Sequence, residues 1–249
     1  MSVWQTEAEM VASFVAAVNR RRDKDWTVYA ETCGWDLLLV HRDGYQLGLE
    51  AKLSLNAKVI DQALSGTSRY SHDIGPDYRG VVVPNDKIQL HLGAICRHIG
   101  IGIIAISDKS WWSPDLPDEK WSHNEWPNWC VSKRCTLPDY VPDVAGGHAA
   151  PVKLTTWKIK AIKLAIVLDK RGYVTRADMK ALDLSPRRWT DFYNGLLARD
   201  ETGKRFVKSS RTPDFRSQHP TNYAEIEQDF PKWSSSLPDC SGLFGGVAQ

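Results

Sequence analysis

Cysteine is scarce and scattered in these 249 residues, where Cys33, Cys96, Cys130, Cys135 and Cys240 form an odd set of five. The opening residues, Met-Ser-Val-Trp-Gln-Thr-Glu-Ala-Glu, lack the basic and apolar regions of a secretory leader. A disulfide framework is therefore not expected. Cys130 and Cys135 alone are too few for a zinc site, and neither His123 nor His148 completes one at a usual spacing. No apolar run approaches the roughly 18 residues of a membrane span. The expectation is a cytoplasmic protein without a membrane anchor.

Net charge is also nearly absent, at +2, but the balance hides an asymmetry. Residues 1–150 carry 15 Lys and Arg against 19 Asp and Glu, and residues 151–249 carry 17 against 11, so the halves stand at −4 and +6. An acidic half beside a basic half suggests that one holds cations and the other a polyanion.

Periodicity divides the chain further. Met10, Val11, Phe14, Val15 and Val18 recur at helical spacing between Thr6 and Arg21. Three strand-like stretches follow, at 26–32, 35–41 and 45–53, the last two joined by the hairpin signal Asp43-Gly44. Asn56 caps a predicted helix through Val59, Ile60, Ala63 and Leu64. A strand at 79–84, a helix at 87–100 and a strand at 101–107 complete an α/β pattern, with one crossover bringing the later strands parallel to part of the meander. Five tryptophans between 111 and 129 lie in a loop-rich stretch and are read as a cover for the core more than as stacking partners for bases. We place a first domain at 1–140, a Pro- and Gly-rich linker at 141–152, a second domain at 153–232 and a flexible tail at 233–249.

Chemistry concentrates on the third strand. Alternation sets Leu47, Leu49, Ala51 and Leu53 on one face and Gln46, Gly48, Glu50 and Lys52 on the other, so one face reads as core and the other as site. A carboxylate and an ammonium on so apolar a strand are costly unless something engages both, as a divalent metal with a phosphate does. Asp36 begins the neighbouring strand, where the two carboxylates can converge. Hard oxygen ligands of this kind suit Mg²⁺ or Mn²⁺.

Asp36, then Glu50-Ala51-Lys52, then a helix with Gln62, all preceded by a helix with acidic residues, resembles the PD-(D/E)xK nuclease superfamily over about residues 5–108. The resemblance implies a restriction-endonuclease-like mixed sheet flanked by helices. It also implies metal bound by Asp36 and Glu50, Lys52 holding or activating the attacking water, and Glu7 completing the site. Glu9 and Glu31 are rival acidic positions. Trp35 stands where the family's Pro would be, and position 66 is Gly where the exonuclease-like branch carries a Tyr after its helical Gln.

In the basic half, residues 151–216 hold 16 Lys and Arg against 7 Asp and Glu. Helices are expected at 155–171, at 175–182 and from Ser185, as N-cap with Pro186 at its first position, to about Arg199; a strand follows at 205–209. This order is that of a winged helix-turn-helix domain. Ser185, Arg187, Arg188, Trp189 and Thr190 cluster at the start of the expected recognition helix, and Lys204, Arg205, Lys208 and Arg211 fall in the wing.

The combined expectation is a Mg²⁺- or Mn²⁺-dependent DNA endonuclease acting through a winged helix. Its partner is DNA, on which two copies would associate to cut both strands; a defence, transposition or phage system is where a protein partner is expected. The alternatives are a catalytically inactive DNA-binding regulator or recombination accessory, and an exonuclease.

Overall fold

The computed structural model describes residues 4–64, 74–107, 112–113, 116–117, 126–143 and 153–238. The chain forms two compact units, Met1–Lys153 and Leu154–Gln249.

The first unit is a mixed α/β layer structure. Helix α1 (Glu7–Asn19) starts at a capping box, in which Thr6 accepts from the Glu9 N–H and the Glu9 side chain returns to the Thr6 backbone. Strands β1 (Trp26–Thr32), β2 (Trp35–His41) and β3 (Gln46–Ala51) follow as an antiparallel meander. Gly44, at φ +89°, supplies the left-handed turn between β2 and β3. Helix α2 (Ala57–Leu64), whose Val59 N–H is capped by Asn56, crosses to β4 (Tyr78–Pro84), which lies parallel to β3. Helix α3 (Leu90–Ile99) ends at Gly100 and leads to β5 (Gly102–Ile106), parallel to β4. The two-residue strand β6 (Trp112–Ser113) closes the order β1-β2-β3-β4-β5-β6.

Each face of the sheet is covered. On one side, Met10, Val11, Phe14 and Val18 of α1 pack with Leu37, Leu39, Leu47 and Leu49. On the other, Val59, Ile60 and Ala63 of α2 and Cys96 of α3 pack with Trp35, Leu38, Val81 and Val83. The face of β3 expected to carry the site lies under cover along the strand. All of Gln46–Ala51 is buried, and the Trp35 ring lies so close over Gly48 that a Cβ there would meet it at 2.5 Å. Trp126 likewise wedges against Gly80 and Gly102, and Trp129 donates to the Gly100 carbonyl, so both cover the core. Trp111 and Trp121 lie outside the described residues, as does most of the expected linker.

The second unit opens with α4 (Thr156–Arg171), capped by Thr155 and stopped by Gly172 at φ +82°. Helix α5 (Arg176–Ala181) begins with a Thr175–Asp178 capping box, and the buried Asp178 carboxylate also takes the guanidinium of Arg171. Helix α6 (Pro186–Thr190) follows, then a hairpin of β7 (Leu197–Arg199) and β8 (Phe206–Lys208), with Val174 bridging to Phe206.

Two expectations are corrected. The helix from Ser185 does not reach Arg199. It ends at Thr190 because the Asp191 carboxylate accepts the N–H groups of Tyr193 and Asn194, and because Gly195 sits where a Cβ would fall 2.4 Å from the Asp191 carbonyl. Residues 233–238, expected to begin a flexible tail, are folded, and 239–249 lie outside the described residues. Helices α7 (Phe215–Gln218), α8 (Pro220–Gln228) and α9 (Phe230–Trp233) extend the unit, and Leu237 is buried. Asp214 capping Ser217 and the 3–4 spacing of Tyr223, Ile226 and Phe230 are the signals that mark these helices in the sequence.

Candidate active site

The β2–β3 register pairs Leu37 with Leu49, and one step further sets Asp36 opposite Glu50. The Asp36 carboxylate accepts the N–H of Ala51 at 2.9 Å, which ties the end of β2 to the end of β3. Glu50 is only 5% exposed. Burial, then the charge of Asp36 and a hydrogen bond with it, push the Glu50 carboxyl up to about 8 against the opposing pull of Lys52. A carboxyl so placed is protonated at neutral pH unless a cation arrives.

Lys52 follows directly. Its Nζ lies 2.9 Å from Glu7 Oε2 and 3.9 Å from Asp36 Oδ2, so the ammonium bridges α1 to the strand pair. Burial by itself would lower Lys52, but the hydrogen bond to Glu7 and the charges of Asp36, Glu7 and Glu50 hold it above its ordinary value. Of the competing acids on α1, Glu9 is spent on the capping box, accepting from the N–H groups of Gln5 and Thr6, while Glu7 reaches the site.

Glu31 joins the same neighbourhood. It falls between the Ala30–Leu37 and Thr32–Trp35 pairs, opposite Asp36, and its charge adds to the upward push on Glu50. Its backbone is left-handed, φ +52°, an uncommon state for a residue with a Cβ. The side chain is buried to 6% exposure and paired with Lys153 at 2.5 Å. Strand alternation could not single Glu31 out, because the irregular backbone that aims it is invisible to a two-residue period. Gln62 stands on α2, which packs against β3 and β4. Its Oε1 is buried without a hydrogen-bond partner among the described residues.

The donor set fits a small hard cation. Asp36 and Glu50 are paired carboxyl groups whose mutual repulsion a divalent ion relieves, and Mg²⁺ typically takes one or two carboxylates and leaves its other positions to water and substrate. Among the described residues no group of three or more His, Cys, Asp or Glu side chains is arranged to hold a metal ion.

In the second unit, Ser185, Arg187 and Arg188 are exposed at the start of α6, although the Ser185 side chain makes no cap hydrogen bond. Arg188 lies over the Trp157 ring at 4.1 Å. Thr190 is buried, at 7% exposure, and Trp189 is buried beside it, so neither side chain belongs to a contact surface. Lys204 and Arg205 are exposed at the hairpin turn, Arg205 resting over Tyr173 at 4.2 Å. Lys208 is paired with Asp169 at 2.5 Å, which offsets part of its charge.

No protein-family model matches the chain, and neither does any curated protein or solved structure. No helix among the described residues is long and apolar enough to cross a membrane.

Proposed function

We propose that this chain is a metal-dependent DNA endonuclease of the PD-(D/E)xK type, its first unit hydrolysing phosphodiester bonds and its second binding DNA as a winged helix. The observation that carries the reading is the Lys52 ammonium lodged between Glu7 and Asp36 beside a buried, strongly perturbed Glu50. Perturbed carboxyl groups paired with a cation in this way are common at catalytic sites.

Asp36 and Glu50 would hold Mg²⁺ or Mn²⁺, which when bound supplies a more acidic water and charge neutralisation at the scissile phosphate. Lys52 stays charged, so it acts as a donor that orients the attacking water or stabilises the phosphorane oxygens, not as a neutral base. Glu7 fixes the ammonium. Gln62, which the resemblance adds to the site, stands on α2 with its Oε1 buried and without a hydrogen-bond partner among the described residues.

The winged-helix reading of the second unit is supported by the order α4, α5, α6 and hairpin, and by the Val174 bridge that adds a third short segment to it. Arg187, Arg188, Lys204 and Arg205 are the exposed cations it would present to phosphates.

Supercoiled and linear plasmid, incubated with Mg²⁺, Mn²⁺ or EDTA, test the proposal. Metal-dependent nicking or linearisation, lost in Lys52→Ala and Asp36→Ala, is expected. Degradation of linear DNA only would make the enzyme an exonuclease. Salt-sensitive DNA binding without any cleavage would overturn catalysis in favour of a regulator.

A further inference from the structure

Phe192 and Tyr193 are 84% and 75% exposed, in a unit that buries Trp189, Phe206, Phe215 and Tyr223 nearly completely. They are not on a loose segment. The Asp191 carboxylate holds the N–H groups of Tyr193 and Asn194, Arg211 donates to the Tyr193 carbonyl, and Ser209 and Thr212 both donate to the Leu196 carbonyl. The fastened turn presents the two rings edge to face, centroids 5.1 Å apart, so one ring is buttressed by the other and offers a free face.

The surroundings are cationic. Arg187 and Arg188 are exposed on α6 just before the turn, Arg188 resting over Trp157, and Arg211 donates to the turn's Tyr193 carbonyl. The one acid in the turn, Asp191, is engaged with backbone N–H groups. Two exposed aromatic rings, on a turn that Arg211 fastens and that the exposed Arg187 and Arg188 precede, complement a ligand that is itself a flat π surface on a polyanion. A nucleobase has that chemistry, and only an unstacked base has a face to give.

We infer that the Phe192–Tyr193 turn stacks on an unpaired base, so that the second unit prefers DNA with an unpaired nucleotide over continuous duplex. The inference rests on the DNA-binding reading above and names its substrate class.

Fluorescence anisotropy of the full chain in EDTA, on a labelled duplex and on the same duplex with one unpaired nucleotide, tests it. The wild type should favour the bulged duplex, and Phe192→Ala/Tyr193→Ala should weaken that binding about fivefold or more while leaving continuous duplex nearly unchanged. Phe192→Tyr/Tyr193→Phe, which keeps both rings, should retain the preference. An alanine double variant that melts like the wild type yet keeps the preference overturns the inference and leaves duplex binding standing. So does a wild type without the preference, or a double variant whose only change is loss of self-association. A wild type that binds neither DNA at low salt overturns the DNA-binding reading itself.

Discussion

The Lys52 ammonium donates to the Glu7 carboxylate at 2.9 Å across 45 residues of chain, and the same nitrogen stands 3.9 Å from Asp36. The pair is partly exposed, 23% and 38%, so its contribution to stability is small, about 1 kcal/mol or less. Its effect on cleavage is expected to be much larger. Lys52→Met keeps the aliphatic stem and removes the charge; single-turnover cleavage should fall by about 100-fold or more, the scale of losing one electrostatic contact at a developing oxyanion. Glu7→Gln, which keeps a hydrogen-bond acceptor, should cost less. A melting temperature within a few degrees of wild type for both variants separates chemistry from folding.

Burial, with the charge of Asp36 beside it, pushes the Glu50 carboxyl up from its ordinary 4.5 to about 8. The folded state therefore binds the proton more tightly, and the stability so gained is complete below about pH 4.5 and lost as pH rises through 8. In EDTA, the first unit should lose stability from this group progressively between pH 5 and 8.5, by at most about 4 kcal/mol, and its melting temperature should fall by several degrees. Glu50→Gln, neutral at every pH, should flatten that decline. An unchanged slope in the variant would mean that another group is responsible.

Much of the first unit is legible in sequence because its strands are strongly patterned and its turns carry Asp-Gly or Gly at positions that need it. Asp36, Glu50 and Lys52 could be paired from strand spacing alone, since antiparallel register follows from the hairpin. Glu31 could not, because a left-handed residue inside a strand breaks the period that would locate it. In the second unit, the apolar spacing of Trp189, Leu196 and Leu197 imitates a long helix. Asp191 and Gly195 override that pattern locally, through carboxylate–backbone bonds and a contact only glycine permits. Burial of Thr190 has no signature in composition.

Exposed arginines on α6 should contribute to affinity through phosphates. Each of Arg187→Ala and Arg188→Ala is expected to weaken duplex binding and to reduce the slope of log affinity against log salt by about 1. Arg188 stacks on Trp157, so its substitution should also lower stability slightly, whereas Arg187→Ala should not. Lys208→Ala should change the salt slope less than either, because Asp169 already neutralises it. Titrations at several salt concentrations, with melting curves alongside, distinguish the three.

Two glycines should respond in opposite directions to the same added methyl group. At Gly102 a Cβ would fall 2.2 Å from the ring of Trp126, which is 2% exposed and has nowhere to retreat. Alanine there gains some strand rigidity, but overpacking against a buried indole should dominate and cost about 1–3 kcal/mol. At Gly93, inside α3, a Cβ meets Ile88 and Ile103 at 3.7 and 3.9 Å, ordinary contact distances. Gly93→Ala should therefore stabilise the unit by about 0.5–1 kcal/mol, by restricting the unfolded chain and adding apolar contact. Denaturant titration reads both. In a Trp126→Leu background, where the methyl group has room, the cost of Gly102→Ala should shrink to near zero, and an undiminished cost would place the strain in the β5 backbone instead.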